Sequence, residues 1–486
     1  MKANIVIKII VMCLIISALL FQLAACAEET IENPPIQDIT DSPDDNSKIE
    51  ADVVDSEPQI KENLPDENYN GYDFTVLVFD NQIWSWAEIV AEEEIGEPIN
   101  DAFYKRNRIV EEKFNINIKQ VATGVDNVPT LFRRSVDAGD DAYDVAFMRQ
   151  QAAANVATAG YCLDLNELEH VDFEKPWWDK NALRDLSFGN TNFIAASEIT
   201  IGDKEAIWVV FFDKQTIADN AMESPYELVL SGKWTFDKML EMMKSGMRDL
   251  DGDGTMSMNN DKFGLLTHGE NFPALWIAGG CRLVENDSKN IPQIAFNNER
   301  FTNVWEKLVV LMSDESCYDK DIGFISSGLA NGETLFATEV VAFLRQYREN
   351  ERDFGILPMP KYDEAQEEYQ TYVALGTTLM VVGKSIPDTT RTSIILEALA
   401  AEGYRTILPA YYESSIKSKY TRDEDSIPML DIAFNTRRYD LGLVFNWGKV
   451  SDRLRTSRAN IASTVETHSE AMQTAMEKTF EVFDIY

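Results

Sequence analysis

YDFTVLVFD, residues 72–80, is the stretch that decides the fold. Its β-branched and aromatic run from Phe74 to Phe79 is typical of a buried strand. Helical and strand patterns then alternate along the chain: INDAFYKRNRIVEEKF (99–114), NINIKQV (115–121), VPTLFRRSVDAG (128–139) and DAYDVAFM (141–148). Because strands that alternate with helices form parallel sheets, this order predicts a helix-covered parallel sheet with ligands at the carboxyl ends of its strands.

A second run of strand and helix patterns follows the first. It begins with the apolar strand pattern IWVVFFDK (207–214) and the helical pattern GKWTFDKMLEMMKSGM (232–247), in which Thr235 is the predicted N-cap. Later patterns predict strands at 339–345, 353–360 and 377–384 and helices at 391–404 and 458–483. At 486 residues the chain is too long for one compact core, so we expect two or three domains.

The N-terminus resembles a bacterial lipoprotein signal. Lys2 and Lys8 precede the apolar run IIVMCLIISALLF (9–21), which is shorter than the roughly 20 residues that a membrane span requires. The sequence LAAC, which ends at Cys26, is similar to the lipobox, whose cysteine is lipidated after cleavage. We therefore expect a signal peptide at 1–25 and an extracytoplasmic protein anchored to the cell membrane through Cys26. The alternative is an ordinary signal peptide with a chance cysteine.

Residues 26–70 differ in composition from the rest of the chain. They are rich in Asp, Glu, Pro, Ser and Asn, and their few apolar side chains cannot bury enough surface to offset the entropy of ordering. We predict a disordered acidic tether here. The whole chain has a formal net charge of −38, which argues against nucleic acid as a partner.

Several motifs occur in an order that resembles the family 1 extracellular solute-binding proteins of bacterial ABC transporters. The motifs are YDVAFM, LDLNEL, IWVVFFDKQTIADN, GKWTFDKML, DLDGDG, DKFGL, NGETLFATEVVAFLR and FGILPMPKYDEAQEEY. The resemblance extends over nearly all of residues 72–450. It implies an α/β, two-lobed periplasmic-binding-protein-like fold of type II, with three hinge crossings and a ligand cleft between the lobes.

The resemblance also implies how the chain is divided. Residues 71–200 and 377–408 would form the first lobe, and residues 201–376 and 409–486 would form the second lobe. The crossings would lie near residues 199–202, 373–377 and 407–411. A ligand that touches both lobes binds the closed form better and shifts the population of conformations toward it.

The function implied by the resemblance is transport, since ligands within the family are mostly sugars and oligosaccharides. We expect a monomer without catalytic activity that binds a neutral or weakly charged carbohydrate and delivers it to ABC transporter permease subunits. The net charge argues against a polyanionic glycan, unless a locally basic cleft around Arg149 outweighs the average.

The stretch DLDGDGTMSMNND (249–261) predicts a structural Ca²⁺ site. In an EF-hand loop the ligands occupy positions 1, 3, 5, 7 and 9, a glycine occupies position 6, and a bidentate Glu occupies position 12. Position 12 here is Asn260, so we expect Asp261 to close the site instead. The predicted ligands are Asp249, Asp251, Asp253, Thr255 through its carbonyl, Ser257 and Asp261. The alternative is a solvated acidic turn.

Candidate ligand-binding residues follow from the chemistry of sugars. Sugar rings stack on aromatic faces, and sugar hydroxyls bind planar polar and charged groups. Residues of these kinds that lie after predicted strands or beside predicted crossings are Trp84, Trp86, Arg149, Gln150, Gln151, Trp208, Tyr411 and Tyr412. Trp276 in NFPALWIAGG and Trp447 in FNWG are further candidates. For each tryptophan the alternative is packing in the core or on the surface. We assign the tryptophans of PWW (176–178) to structure.

Two other functional classes remain open. A surface-anchored glycoside hydrolase or lyase is one, because a pair of carboxylates suffices for a hydrolase and the chain has 82 acidic residues. An acidic surface protein that binds peptides or a metal ion is the other. Cys162, Cys281 and Cys317 remain after the signal, and either a Cys281–Cys317 disulfide or buried thiols fit their spacing.

The lipobox interpretation predicts that Cys26→Ser releases the protein into the medium or leaves an uncut precursor, because the thiol that accepts the lipid is gone. Labelling cells with palmitate and separating membrane from soluble fractions measures this. A variant that still carries label and sediments with membranes contradicts the interpretation.

Overall fold

The computed structural model describes residues 60–80, 89–258, 260–269, 271–319, 323–344, 352–413, 424–456 and 460–485. The predicted signal peptide, Cys26 and the tether up to residue 59 lie outside these ranges, as do Trp84 and Trp86. Within the described ranges, no helix combines the length and the apolar character that a membrane crossing demands.

Strands and helices alternate through most of the chain. The strands are Tyr72–Phe79 (β1), Ile116–Thr123 (β2), Val145–Arg149 (β3), Trp208–Asp213 (β4), Phe263–Thr267 (β5), Val284–Asn286 (β6), Pro292–Ile294 (β7), Cys317–Asp319 (β8), Thr334–Val340 (β9), Phe354–Pro358 (β10), Thr371–Tyr372 (β11), Thr378–Val381 (β12) and Arg437–Arg438 (β13). The helices are Pro98–Phe114 (α1), Val128–Ala138 (α2), Gln150–Thr158 (α3), Lys180–Leu186 (α4), Gly202–Glu205 (α5), Lys214–Asp219 (α6), Pro225–Leu230 (α7), Phe236–Gly246 (α8), Asn271–Ala278 (α9), Glu299–Ser313 (α10), Gly323–Asn331 (α11), Thr389–Tyr411 (α12), Ser426–Asn435 (α13), Leu441–Phe445 (α14), Val450–Thr456 (α15) and Ile461–Val482 (α16). Short 3₁₀ turns occur at Leu165–Glu167, Val341–Phe343 and Trp447–Lys449.

The first lobe is built on a sheet with the strand order β12-β3-β1-β2. β1 pairs in parallel with β2 and β3, and β12 pairs antiparallel to β3. Val76, Leu77 and Val78 of β1 are all buried, as expected for a central strand covered on both faces. The strand, helix, strand, helix, strand pattern predicted from the sequence is confirmed here.

The second lobe is built on a sheet with the strand order β10-β4-β9-β5-β8. β4 runs antiparallel to both β9 and β10, whereas β5 is parallel to β8 and β9. The strand predicted at 339–345 is wrong, because β9 ends at Val340 and a 3₁₀ turn follows. The pairing of β9 with β4 ends there: the backbone N–H of Val341 still donates to the carbonyl of Ile207 at 3.0 Å, and the chain then enters the 3₁₀ turn at Val341–Phe343.

Helix α8 begins where the sequence predicts. Thr235 has an extended backbone, and its hydroxyl accepts the backbone N–H of Lys238 at 3.3 Å at the start of α8. This contact satisfies one of the free donors of the first turn, and the predicted N-cap is confirmed. The helix packs its buried Met239 and Met243 toward the second sheet.

The two lobes are joined by backbone segments that lie side by side. Ile207 and Val373 form an antiparallel bridge, and the N–H of Ala374 donates to the carbonyl of Ala206 at 2.9 Å. The amide of Gln150 reaches from the first lobe and donates to the carbonyls of Val373, at 3.2 Å, and Ala374, at 2.8 Å. These bonds hold the crossing segments against the end of β3.

A third passage between the lobes lies at the end of α12. This helix packs along α1 in the first lobe, and α13 packs on β10 in the second lobe. The chain therefore changes lobe between Tyr411 and Ser426.

Buried charges surround the crossing that the sequence predicts near residues 199–202. Arg437 of β13 lies 3.2 Å from Asp179, which precedes α4, and 3.4 Å from Asp203 of α5, while Lys204 lies 2.8 Å from Glu198. Burial alone would raise the pKa of Asp179, but Arg437 beside it holds that pKa below its usual value. Since a buried charge that loses its partner is costly, these groups fix the relative placement of the segments they join.

The two tryptophans of PWW share one buried acceptor. Trp177 and Trp178 donate their indole N–H groups to the carboxylate of Glu397 on α12, at 2.9 and 2.8 Å. The backbone N–H of Asp172 donates to the same carboxylate at 3.2 Å. This contact ties the loop before α4 to α12, which agrees with a structural role for the motif.

The folded body begins earlier than residue 71. Glu62 pairs with Arg405 of α12 and, at 3.0 Å, with Lys113 of α1. Burial opposes the charge, but these two cations lower the pKa of Glu62 to about 2. The ion pairs therefore stabilise the fold above the ordinary Glu pKa of 4.5 and are lost as the pH falls toward 2. The disorder predicted for 26–70 is corrected for residues 60–70, where Glu62 pairs with two cations and Leu64 and Tyr69 pack against the core.

Glu397→Leu is expected to lower the free energy of unfolding by about 3 kcal/mol or more, because two indole N–H groups and one backbone N–H lose their acceptor in the core. Urea unfolding followed by tryptophan fluorescence measures the change. Glu397→Gln keeps one carbonyl oxygen and should fall between the Leu variant and the natural protein. A Leu variant as stable as the natural protein would remove this contact from the stabilising interactions.

Candidate functional site

A cavity of about 690 Å³ opens between the lobes. On the first-lobe side it is lined by residues that follow β2 and by residues at the end of β3 and the start of α3. On the second-lobe side it is lined by the start of β4, the end of β9 and the residue after β5. Its remaining wall is the crossing segment 372–376. The cavity therefore lies where β2, β3, β5 and β9 end, and α/β proteins bind ligands at such carboxyl ends of strands.

The first-lobe wall carries two arginines. Arg149 is the last residue of β3 and is exposed, with its guanidinium 5.7 Å from the ring centre of Phe79. Arg133 lies on α2, half-buried, with its guanidinium 5.9 Å from the ring centre of Tyr161. Among the residues that the structure describes, neither arginine makes an ion pair, and the buried Nε of Arg133 has no acceptor.

The second-lobe wall combines an aromatic ring with a polar pair. Trp208 is only 3% exposed, and its ring lies 5.2 Å from that of His268 at an angle of 47°. His268 Nε2 lies 3.5 Å from a carboxylate oxygen of Glu339, whose other oxygen accepts the N–H of Val340 at 3.0 Å. Within the described part of the chain, the buried indole N–H of Trp208 finds no acceptor.

Three of the predicted ligand-binding residues line this cavity: Arg149, Gln151 and Trp208. Gln151 also donates its amide to the carbonyl of Leu443 at 3.1 Å. Gln150, next in the chain, does not line the cavity, because its side chain is buried against the crossing segment. It acts on the hinge rather than on a ligand, which corrects its assignment. Trp84 and Trp86 lie outside the described residues.

The predicted ligand contacts of Trp276 and Trp447 are wrong. Trp276 is 0% exposed and packs in the core with Phe301 and Trp305, with ring centres 6.1 and 6.0 Å away. Trp447 donates its indole N–H to Thr479 at 2.8 Å and stacks on a neighbouring phenylalanine. Trp276 is enclosed in the core and Trp447 is only 4% exposed, so no face of either ring remains for a ligand.

The two tyrosines at the end of α12 also pack inside the protein. Tyr411 is buried, and the rings of Tyr411 and Tyr412 lie 6.3 and 5.8 Å from the ring of Phe434 on α13. Neither tyrosine lines the cavity. Their place beside the third passage is structural, because they pack α12 against α13.

Several cavity residues carry no sequence motif that singled them out. Arg133 lies in the middle of an amphipathic helix, and Glu339 lies at the end of β9, whose bounds the sequence misplaced. His268 follows β5, whose apolar run FGLLT is a strand signal that would have placed the histidine at a sheet edge. The general rule that ligands bind at strand ends would have found His268 and Glu339.

The acidic loop after α8 brings three carboxylates together. Ligand oxygens of Asp249, Asp251 and Asp253 lie within 4.8 Å of one another, and all three residues are exposed. Gly254 has a φ of +80°, a conformation that favours glycine, and its N–H donates to Asp249 at 2.9 Å. The loop thus gathers negative charge in the way that a Ca²⁺ loop requires.

Asp261 contacts the backbone of the same loop. Its two oxygens accept the backbone N–H groups of Ser257, at 2.7 Å, and Leu250, at 2.9 Å, which lower its pKa. Asn260, at position 12 of the pattern, instead donates its amide to Asp251 at 2.9 Å. Thr255 and Ser257 lie between these acids on the loop. The donor set consists of oxygens, which suits a hard cation such as Ca²⁺.

The cysteines contribute thiols to the fold. Cys162 and Cys281 are buried free thiols in the described structure, so the Cys281–Cys317 disulfide is not formed there. Burial raises the pKa of the Cys281 thiol to about 12, so this group stays protonated near neutral pH.

No protein-family model and no curated protein matches the chain. Solved structures do match it. One is a cyclo/maltodextrin-binding protein complexed with maltotetraose, with 15% sequence identity, a TM-score of 0.55, and coverage of 85% of this chain and 98% of that one. Another is the cyclic α-maltosyl-1,6-maltose binding protein from Arthrobacter globiformis, with 14% identity, a TM-score of 0.54, and coverage of 84% and 99%.

A third similar structure binds a different class of ligand. It is UgpB from Mycobacterium tuberculosis in complex with glycerophosphocholine, with 13% identity, a TM-score of 0.55, and coverage of 84% and 99%. At these identities the likeness shows the fold alone. The chain has the two-lobed, type II fold of maltose-binding-protein-like solute-binding proteins, and the predicted fold class is confirmed.

Proposed function

We propose that this chain is the substrate-binding component of an ABC import system, and that it belongs to family 1 of the extracellular solute-binding proteins. It captures a sugar or oligosaccharide at the cell surface and delivers it to membrane permeases. The observation that carries the proposal is the cavity whose walls come from both lobes and from a crossing segment. A ligand that contacts Arg149 and Trp208 bridges the lobes, and such a ligand favours the closed form.

A saccharide fits the chemistry of the walls. Trp208 offers an aromatic ring, while Arg149, Gln151 and Glu339 offer planar polar groups of the kind that bind hydroxyls. A volume of about 690 Å³ lies within the usual range for small-ligand sites. Two of the similar structures are complexes or binders of maltose-based saccharides, while one binds glycerophosphocholine. The ligand class is therefore argued from the cleft, with the neighbours as support.

We propose binding without turnover. In hydrolases of glycosides, two carboxylates flank the bond that is cleaved, at separations of about 5–10 Å. The acidic residues that line this cavity are Asp126, which is exposed, and Glu339, which faces His268. Product analysis after incubation with oligosaccharides separates the surface-enzyme alternative from transport.

The location and the partners follow from the same proposal. The mature chain starts at the lipidated Cys26 and acts as a monomer outside the cytoplasm, held to the cell membrane by its lipid. The permease subunits recognise the closed shape of the two lobes, so lobe closure couples ligand binding to delivery.

We also propose a structural Ca²⁺ in the loop between α8 and β5. Asp249, Asp251, Asp253 and Asp261 would hold it, with the Thr255 carbonyl and Ser257 completing the oxygen ligands. The close approach of the three exposed carboxylates supports this, because a cation relieves their mutual repulsion. The ion would pin the loop and stabilise the second lobe.

Binding of a saccharide should compact the protein, because the ligand draws the lobes together. Small-angle scattering with and without ligand measures the radius of gyration, after a thermal-shift screen has found a saccharide; saturation at 100 times Kd adds about 2.7 kcal/mol of stability.

Replacing Trp208 by Ala should weaken the binding of the saccharide by about 1–3 kcal/mol if the ring stacks on the ligand, by analogy with bases stacked on aromatic side chains. Trp276→Phe, a change in the core, should leave the affinity for the saccharide unchanged. Turnover of a glycan, or tight binding without a change in shape, would favour the enzyme instead.

Removal of Ca²⁺ by EDTA should lower the melting temperature, since the loop carboxylates then repel one another. Asp251→Ala should abolish this sensitivity. Asp287→Ala is a matched control, because Asp287 also accepts backbone N–H groups of its own loop, at 2.8 and 3.0 Å, but belongs to no acidic cluster in the described chain. Identical melting curves in EDTA and in excess Ca²⁺ would remove the ion from the proposal.

A further inference from the structure

The cleft holds more hydrogen-bond donors than its own acceptors satisfy. Arg133 and Arg149 line the first-lobe wall, and the structure gives them ring contacts but no ion pair within the described residues. Trp208, on the opposite wall, has a buried indole N–H without an acceptor there. In a chain with 82 acidic and 44 basic residues, carboxylates are abundant, so two arginines without a carboxylate partner in one cavity need a physical reason.

The two carboxylates that line the cavity do not pair with these arginines within the described residues. Glu339 faces His268 at 3.5 Å and accepts the N–H of Val340 at 3.0 Å. Asp126 is exposed to solvent. An unsatisfied buried donor costs free energy until an acceptor arrives. The missing partner of this site is therefore rich in acceptor oxygens.

We propose that the ligand is an acidic saccharide, a sugar or short oligosaccharide whose carboxylate pairs with Arg133 and Arg149 while a sugar ring lies against Trp208. The proposal rests on the proposed function and specifies its substrate class. A guanidinium presents its N–H groups as a planar fork that matches the two oxygens of a carboxylate, and such charge-assisted pairs are about twice as strong as neutral hydrogen bonds. A neutral hydroxyl accepts at one oxygen and leaves the other donors unsatisfied.

The net charge of the chain does not oppose this ligand inside the cleft. At physiological ionic strength exposed charges are screened over about 8 Å, so distant acidic residues contribute little to the potential in the cavity. The guanidinium groups of Arg133 and Arg149 in the wall therefore decide the sign of the electrostatic potential in the cavity. The formal charge of −38 is a sum over all 486 residues, and it affects the approach of the ligand more than its binding in the cavity.

Isothermal titration with matched sugars tests the proposal. The probes are short oligomers of galacturonate and of glucuronate, the same oligomers after reduction of each carboxyl to a neutral alcohol, and a sulfated disaccharide. We expect at least one uronate oligomer to bind 10-fold or more tighter than its reduced counterpart. Its affinity should fall with added salt, whereas the affinity of the reduced counterpart should not.

Variants locate the effect on the two arginines. Arg133→Gln and Arg149→Gln should each weaken uronate binding by about 10- to 100-fold, the range for a hydrogen bond to a charged group. Arg149→Lys, which keeps the charge and loses the fork, should fall between Gln and Arg. Arg134→Gln is the matched control: it removes the same charge from the next position of α2, but Arg134 is exposed and does not line the cavity.

The outcomes separate this inference from the proposed function. Equal binding of uronate and reduced oligomers, or Gln variants that bind uronate as the natural protein does, would overturn the acidic ligand and leave sugar transport standing. A preference for the sulfated disaccharide over the uronate oligomers would contradict the claim that the acidic group of the ligand is a carboxylate. Failure of every saccharide, acidic and neutral, in a protein whose melting curve shows it folded, would overturn the proposed function as well.

Discussion

The antiparallel contact between residues 206–207 and 373–374 is the constraint on which the rest of the structure depends. It places the start of β4 beside the segment that leads into β12, and so brings an edge of each sheet to the same cavity. Gln150 locks this contact from the first lobe through two backbone carbonyls. Because backbone pairing fixes direction and register together, the cleft is defined by main-chain geometry before any side chain contributes. Side chains then set the charge and the polarity of its walls.

The sequence predicted the lobes better than it predicted the residues of the site. A continuous apolar run suffices to predict a strand such as β1, because a strand that is buried on both faces has apolar residues at successive positions. Position after a strand identified Arg149 and Gln151 as residues of the cleft wall. Aromatic identity alone misled at Trp276 and Trp447, since a tryptophan in a core and one against a ligand have the same local sequence. What separates them is a long-range contact, which no local pattern contains.

Electrostatics in this protein acts at two scales. The net charge of the chain is strongly negative, yet individual cations have particular structural roles. Arg437 stabilises buried aspartates near a passage between the lobes, and Lys113 and Arg405 order a segment that composition alone would leave unfolded. Buried ion pairs contribute little net stability, because desolvation offsets attraction, but they restrict which arrangements of the segments are allowed. Specific geometry, more than overall stability, is what these pairs provide.

The docking of Glu62 has a mechanical consequence. Its partners, Lys113 on α1 and Arg405 on α12, both belong to helices of the first lobe. A force applied at residue 60 therefore enters the fold through α1 and α12 of the first lobe. If the lobes move as the proposed function requires, this attachment stays on one side of the hinge and is not strained by the movement.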